Sequence, residues 1–418
     1  MAQLSDDCFA SDGELMPTET ALALLGDRLR AVCEIETVEL RAALGRILAE
    51  DVAAPISVPP HDNSAVDGYA VYFDDLDAER ETRLPVIGRA AAGHPYSGAV
   101  NRGTALRIFT GAPMPPGPDT VMMQEDCREE GGAVIIPPGI KRGANRRKAG
   151  EDIRADAIVL ERGNRLRAQD IGLAASVGRT TVDVYRPLRV TLFSTGDEIR
   201  DPGSDLPRGC VYDSNRYTLT ALLDGLGCAV VDLGILADDF AAIRDTLAAA
   251  RDDSDLIITS GGMSVGEEDH VKAAVEALGS LHFWRLAIKP GRPVALGQVG
   301  RTPFVGLPGN PVAMMVTFLR IARPVILRLA GSIDLAPHLF KVTAGFDHRK
   351  KAKRREWVRV RLEADGTGGW IAAKFPRGGA GILSSMVEAD GLIELPEDLT
   401  QLKAGTMVDF LPFSEFRL

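Results

Sequence analysis

At 418 residues the chain is too long for one typical hydrophobic core and points to several domains. With 45% hydrophobic and 25% charged residues it has the composition of a soluble globular protein, and no apolar run is long enough to span a bilayer as a helix. A formal net charge of -10 argues against non-specific binding to nucleic acid or an anionic membrane through the overall field, yet leaves room for an anion in a locally basic pocket.

The five cysteines, Cys8, Cys33, Cys127, Cys210 and Cys228, are scattered, with neither a disulfide pattern nor zinc-site spacing. They fit a reducing, cytoplasmic compartment. Residues 1–16 read as a polar, disordered leader without the apolar segment of a secretion signal. From Thr18 the apolar positions Ala21, Leu22, Leu24, Leu25 and Leu29 predict an amphipathic helix ending near Arg30. An extended run over Glu34–Leu40 and a short helix to Leu44 follow, and Pro55, Pro59 and Pro60 mark a boundary. The next segment, His61-Asp-Asn-Ser-Ala-Val-Asp-Gly-Tyr-Ala70, is rich in turn formers and reads either as a set of Asx turns or as a ligand loop. Short β-rich runs cut by Gly and Pro, as at Ala105–Phe109, Thr120–Gln124 and Ala133–Ile136, predict a small β domain. Lys141 to Lys148 carries five basic residues, the usual mark of a solvated face.

Beyond Pro187 the pattern becomes strand, helix, strand. Strands over Leu188–Phe193, Ala229–Leu233 and Asp255–Ser260 alternate with helices over Tyr217–Leu226, Phe240–Ala250 and about Asp269–Leu278. Strands near His282–Leu286 and Pro293–Leu296 and a long helix, Pro311–Leu329, complete an α/β unit whose sheet is expected to be parallel. Past Gly331, alternating runs at Trp357–Leu362, Gly369–Phe375, Leu392–Leu395 and Met407–Leu411 predict a second small β unit.

Chemistry concentrates at the strand ends of the α/β unit. Ser194-Thr-Gly-Asp-Glu198, Asp238-Asp239, Thr259-Ser-Gly-Gly262 and Leu307-Pro-Gly-Asn310 are each a loop beside a strand or helix, and loops at the carboxyl edge of a parallel sheet can meet in one cleft. Singly each has a plain reading: Asp238 as a helix cap, Pro308-Gly309 as a turn, and Glu267, Glu268 and Asp269 as first-turn carboxylates. Trp284-Arg-Leu-Ala-Ile-Lys-Pro-Gly-Arg-Pro293 adds the cations Arg285, Lys289 and Arg292, which with glycine loops suit phosphate. Glu198, Asp238 and Asp269 suit a hard cation such as Mg²⁺.

Eight segments in order carry a resemblance: Asp62-Asn-Ser-Ala-Val-Asp-Gly-Tyr69, Phe109-Thr-Gly-Ala-Pro113, Ala149-Gly-Glu-Asp152, Ser194-Thr-Gly-Asp-Glu198, Thr259-Ser-Gly-Gly-Met-Ser-Val-Gly-Glu-Glu-Asp269, Ile288-Lys-Pro-Gly-Arg-Pro293, Gly306-Leu-Pro-Gly-Asn-Pro311 and Ile382-Leu-Ser-Ser385. Together they resemble the molybdopterin molybdenumtransferases, the MoeA and gephyrin E-domain family, from about Pro17 to the end. The resemblance implies a multidomain α/β plus β fold. Its parts would be an elongated mixed domain (17–60 and 141–186), an inserted small β domain (61–140), a three-layer α/β pterin-binding domain with a mostly parallel sheet (187–331) and a C-terminal β-barrel (332–418). It further implies a cytoplasmic homodimer that, with Mg²⁺, inserts molybdate into adenylylated molybdopterin and releases AMP, with other proteins of the molybdenum-cofactor pathway as expected partners. Matched to the family motifs, Asp67, Glu198, Asp238 and Asp269 become the catalytic candidates, the last three also metal ligands. Thr110, Thr259, Ser260, Gly261, Gly262, Ser264, Arg285, Lys289, Arg292, Pro308, Gly309 and Asn310 become pterin- or nucleotide-binding candidates, and Ser384 and Ser385 fall in the C-terminal signature. Two positions depart: Arg285 stands where many members carry Lys, exchanging a point donor for a planar fork, and His270 where Tyr is common. An adenylyltransferase acting on molybdopterin, or a non-catalytic gephyrin-like scaffold, is the alternative reading.

Overall fold

The computed structural model describes residues 3, 15–262, 270–291 and 293–416. The leader, apart from residue 3 and residues 15 and 16, thus lies outside the described residues. Helix Thr18–Arg28 buries Ala21 and Leu25 and stops where Leu29 turns extended, its backbone N–H still bonded to the Leu25 carbonyl. Strand Thr181–Tyr185 then pairs with both Ile35–Glu39 and Ile47–Leu48, so segments far apart in sequence close one sheet. Between them a six-stranded sheet runs in the order Thr120–Met123, Gly68–Val71, Ala105–Ile108, Thr82–Ala90, Ala133–Ile136, Arg128–Glu130. Gly68 is required there: a Cβ would lie 1.7 Å from the Met122 carbonyl oxygen across the strand pair.

The α/β unit is a sheet in the order Ala229–Leu236, Arg189–Thr195, Leu256–Ser260, Thr302–Leu307, Pro293–Val299, Gly279–Arg285. Its first four strands are parallel, and the strand Leu256–Ser260 is buried along its whole length, as its continuous apolar run implies. At the far edge the sheet turns antiparallel, because Val299 pairs with Thr302 across a two-residue connection whose Gly300 sits at φ +62°. Strand Thr302–Leu307 is central and fully buried, although Pro303 and Gly306 hide it in the sequence. Pro303 precedes the first residue paired to the Leu256–Ser260 strand, so its missing N–H costs that ladder nothing. The long helix expected over Pro311–Leu329 is interrupted by a π segment at Phe318–Ala322. Pro324 explains the interruption: it has no N–H and its ring would press on the carbonyl four residues back, so the turn widens.

The C-terminal unit is a closed five-stranded barrel. Strand Arg355–Ala364 pairs with Trp370–Lys374 and Gly391–Leu395, while Phe340–Ala344 and Met407–Pro412 complete the circuit around Val342, Val360, Ala372, Ile393 and Phe410. The barrel is tied to the α/β unit by Ile288–Lys289, which runs parallel to Arg355–Glu356, and by the Val312 N–H donating to the Ala380 carbonyl at 2.9 Å. A buried charged knot reinforces the junction: Glu394 accepts from Arg355 at 2.8 Å and from the Trp357 indole at 2.9 Å, and faces Arg320 at 3.3 Å.

Candidate active site

The carboxyl ends of the parallel strands bring the four loops together. A cavity of about 810 Å³ is lined by Thr195, Gly196, Glu198, Asp238, Ser260, Gly261, Gly262, His270, Gly309 and Asn310, with the start of helix Ser214–Leu226 as one wall. Gly261 and Gly262 hold φ of +94° and +61°, and a Cβ on Gly262 would come within 2.9 Å of Val271, so the loop can turn back over the strand end only with glycine there. Asn215 fastens two of the loops to each other, donating to the Ser260 hydroxyl at 2.8 Å and to the Gly309 carbonyl at 2.7 Å. Its own amide oxygen is buried and has no partner among the described residues. Asp238 accepts a long bond of 3.4 Å from the Thr195 hydroxyl.

A second cleft, about 700 Å³, adjoins the first across Glu198, Gly261, Gly262, Gly309 and Asn310, and its far wall is the barrel. Lys289, Arg354, Arg359, Lys374 and Arg377 line it, against the carboxylates Glu198 and Glu356. Lys289 faces Glu356 because the two are register partners in the parallel pairing, and its ammonium donates to Glu356 Oε1 at 2.8 Å. Arg359 is different: it donates to the Gly379 carbonyl at 2.9 Å and to the Ser385 hydroxyl at 2.7 Å, with no carboxylate partner among the described residues. Burial alone pulls its pKa down, the signature of a cation desolvated without a counter-charge. Such a wall can hold an oxyanion.

Of the residues singled out in the sequence, Glu198, Asp238, Ser260, Gly261, Gly262, Lys289, Pro308, Gly309 and Asn310 line one or both clefts. Thr259 does not; it is fully buried, and its hydroxyl has no partner among the described residues. Ser385 reaches the second cleft only through Arg359, and Ser384 is an exposed residue opening helix Ser384–Glu388. Asp67 and Thr110 line neither cleft: the Asp67 carboxylate accepts from the Thr110 N–H and hydroxyl, both at 2.8 Å, and these bonds hold it below the usual carboxylate range. Ser264, Asp269 and Arg292 lie outside the described residues, and of Arg285 only the backbone is described. Glu198 and Asp238 share a cavity as hard oxygen donors, a set that fits Mg²⁺ chemically, although no group of three or more metal-binding side chains is found among the described residues. Sequence reasoning missed Asn215 and the barrel wall. Only the basic stretch Lys350–Arg355 and the Lys374-Phe-Pro-Arg-Gly-Gly379 turn signalled the latter, and neither says which way it faces.

Comparison with known proteins gives three consecutive matches: the MoeA N-terminal region (domain I and II) over residues 16–178, a probable molybdopterin binding domain over 191–328, and the MoeA C-terminal region (domain IV) over 341–413. A Haemophilus influenzae protein named molybdopterin molybdenumtransferase is 38% identical over 403 residues, covering 96% of this chain and 99% of its own. A Nostoc protein of the same name is 35% identical, covering 89% of this chain and 87% of its own. Two crystal structures of the Pyrococcus horikoshii molybdopterin biosynthesis MoeA protein superpose with TM-scores of 0.77 and 0.83 at 31% and 28% identity, each over 96% of this chain and 99% and 100% of theirs. Matched along nearly its whole length in sequence and in fold, the chain belongs to the MoeA family of molybdopterin molybdenumtransferases.

Proposed function

We propose that this protein completes the molybdenum cofactor by inserting molybdate into adenylylated molybdopterin, with AMP as the other product. The supporting observation is the pair of adjoining clefts: one walled by the phosphate-type loops at the sheet edge, the other by cations of the barrel, with Glu198, Gly261, Gly262, Gly309 and Asn310 common to both. Two anions that repel each other in water, the nucleotide-linked pterin and molybdate, can be held side by side in such a place. Lys289 and Arg359 offset their charge, and confinement supplies the proximity that an encounter in solution lacks. The Gly261–Gly262 and Pro308–Gly309 loops, fastened by Asn215, keep the walls in place before either ligand arrives. Glu198 and Asp238, with Asp269, would hold Mg²⁺, which when bound would neutralise phosphate charge.

The working unit we infer is a cytoplasmic homodimer whose subunits have the four domains bounded as the sequence reading divides them. Asp67 and Thr110 lie on the inserted β unit and line neither cleft of their own chain, so a second subunit is the natural means of bringing them to the ligands. Incubation of the protein with adenylylated molybdopterin, molybdate and Mg²⁺ tests the reaction: AMP release that depends on molybdate is expected. Asp269→Asn provides the sharper version, since Asn caps a helix about as well as Asp. This variant is expected to melt like the wild type and bind the adenylylated pterin, yet release no AMP; near wild-type release would reduce Asp269 to a cap.

A further inference from the structure

Four titratable side chains form a single row along the second cleft. Lys289 of the α/β unit donates to Glu356 Oε1 at 2.8 Å, His348 Nε2 meets the same oxygen at 3.1 Å, and His348 Nδ1 meets the Lys374 ammonium at 3.1 Å. Each of the four lines the cleft. The row fixes the tautomer. An ammonium can only donate, so Nδ1 must accept, and the proton of the neutral ring then sits on Nε2, where it donates to the buried Glu356 carboxylate. Protonation of His348 would put a second N–H against the Lys374 ammonium and end that contact.

We propose that His348 is the positioning residue that takes up a proton when the cleft binds its anion, and that this proton releases Lys374 from Nδ1 toward the ligand. The proposal rests on the reading of this cleft as an oxyanion site. The balance is simple: one proton from solvent joins the ring nitrogen as one hydrogen bond breaks. Burial, the largest influence, pushes the His348 pKa below its ordinary value; Lys374 and Lys289 push the same way, and Glu356 opposes them. The ring is therefore biased toward its neutral form before the anion arrives. Among the described residues the other charged groups on the cleft are Arg354, Arg359, Arg377 and Glu198, and an incoming dianion shifts the sum toward the protonated ring. Phe346 lies edge-on to the imidazole and beneath the Lys374 ammonium, which has His348 Nδ1 as its one direct polar partner among the described residues.

Calorimetric titration of the full-length protein with molybdate, and with sulfate as a dianion that does not titrate near neutrality, tests this directly. Run in two buffers of different ionisation enthalpy between pH 6 and 8, it should show uptake of a substantial fraction of one proton per anion, with affinity rising severalfold as the pH falls. His348→Gln, which keeps an amide donor for Glu356 but cannot titrate there, should bind with that uptake and pH dependence abolished. Lys374→Met removes a cation from beside the ring, so its uptake should move to higher pH. Proton uptake surviving in His348→Gln, or anion binding by the wild type with no uptake at any pH, overturns the proposal while leaving the cleft an anion site. No anion binding at any pH removes the cleft assignment itself, and this proposal with it.

Discussion

Lys289 shows how little a residue type says until its partner is known. Its side chain is half exposed, while Glu356 is buried and keeps the His348 ring as a second partner, so loss of the ammonium costs folding only modestly. Against a bound oxyanion the same charge is worth about 1.5 to 3 kcal/mol, the range for hydrogen bonds to charged groups. Lys289→Ala is therefore expected to weaken binding of the adenylylated pterin by roughly ten- to a hundredfold at nearly unchanged melting temperature, read by titration alongside thermal unfolding. Unaltered affinity with a lowered melting temperature would make the residue structural. Asn215 is the converse case, a residue without charge that decides where two loops stand, because both protons of its amide are committed to them.

Among the elements, the strand Leu256–Ser260 with its glycine loop carries the most information. A run of apolar and β-branched residues emptying into Gly261-Gly262 was readable as a buried strand and a tight return, since periodicity and turn chemistry are local properties. Gly262→Ala tests the return: the left-handed backbone costs an alanine roughly 1 to 2 kcal/mol, and its Cβ would meet Val271 at 2.9 Å. Denaturant unfolding should show a loss of at least that size, together with weaker ligand binding, because the loop lines both clefts. The neighbouring strand Thr302–Leu307 escaped notice because Pro303 and Gly306 depress its strand character; only its place between two partners makes it a strand. Likewise the π segment at Phe318–Ala322 follows from one proline inside a helix that packing on nearly every side keeps from breaking.

For the molecule as a whole, charged residues tie the units to one another. Asp255, at the entry to the central strand, is buried and accepts from Arg186 at 2.6 Å and from the Arg189 N–H at 2.8 Å. Burial raises its pKa, but these bonds outweigh that and the net shift is downward. A carboxylate whose folded pKa is depressed contributes stability that is fully present above its unfolded value and lost as the pH falls through the folded one. Acid unfolding is accordingly expected to steepen below about pH 4. Asp255→Asn should flatten that limb and cost about 3 to 5 kcal/mol at neutral pH, because the Arg186 and Arg189 guanidinium groups lose the buried carboxylate they share, leaving Arg186 with the exposed Glu34 at 3.6 Å. The assembly has its own test. If Asp67 and Thr110 complete the site of a second subunit, sedimentation should show a dimer at working concentration, and a fully active monomer would rule the arrangement out.

By itself the sequence determined the class of each unit and, through its ordered loop motifs, the family: the β-rich runs after Pro60, the α/β alternation and four of the five strands that close the barrel rest on short-range patterning that survives without coordinates, whereas Phe340–Ala344 was not legible there. Tertiary structure alone decided which loops meet. That Asn215 joins Ser260 to Gly309, that Arg359 faces the cleft with no carboxylate partner among the described residues, and that Glu356 and His348 link Lys289 to Lys374 are consequences of strand register and barrel closure. Those are set by burial summed over the whole chain, and a residue 67 positions away in sequence becomes a 2.8 Å partner only when that sum is complete.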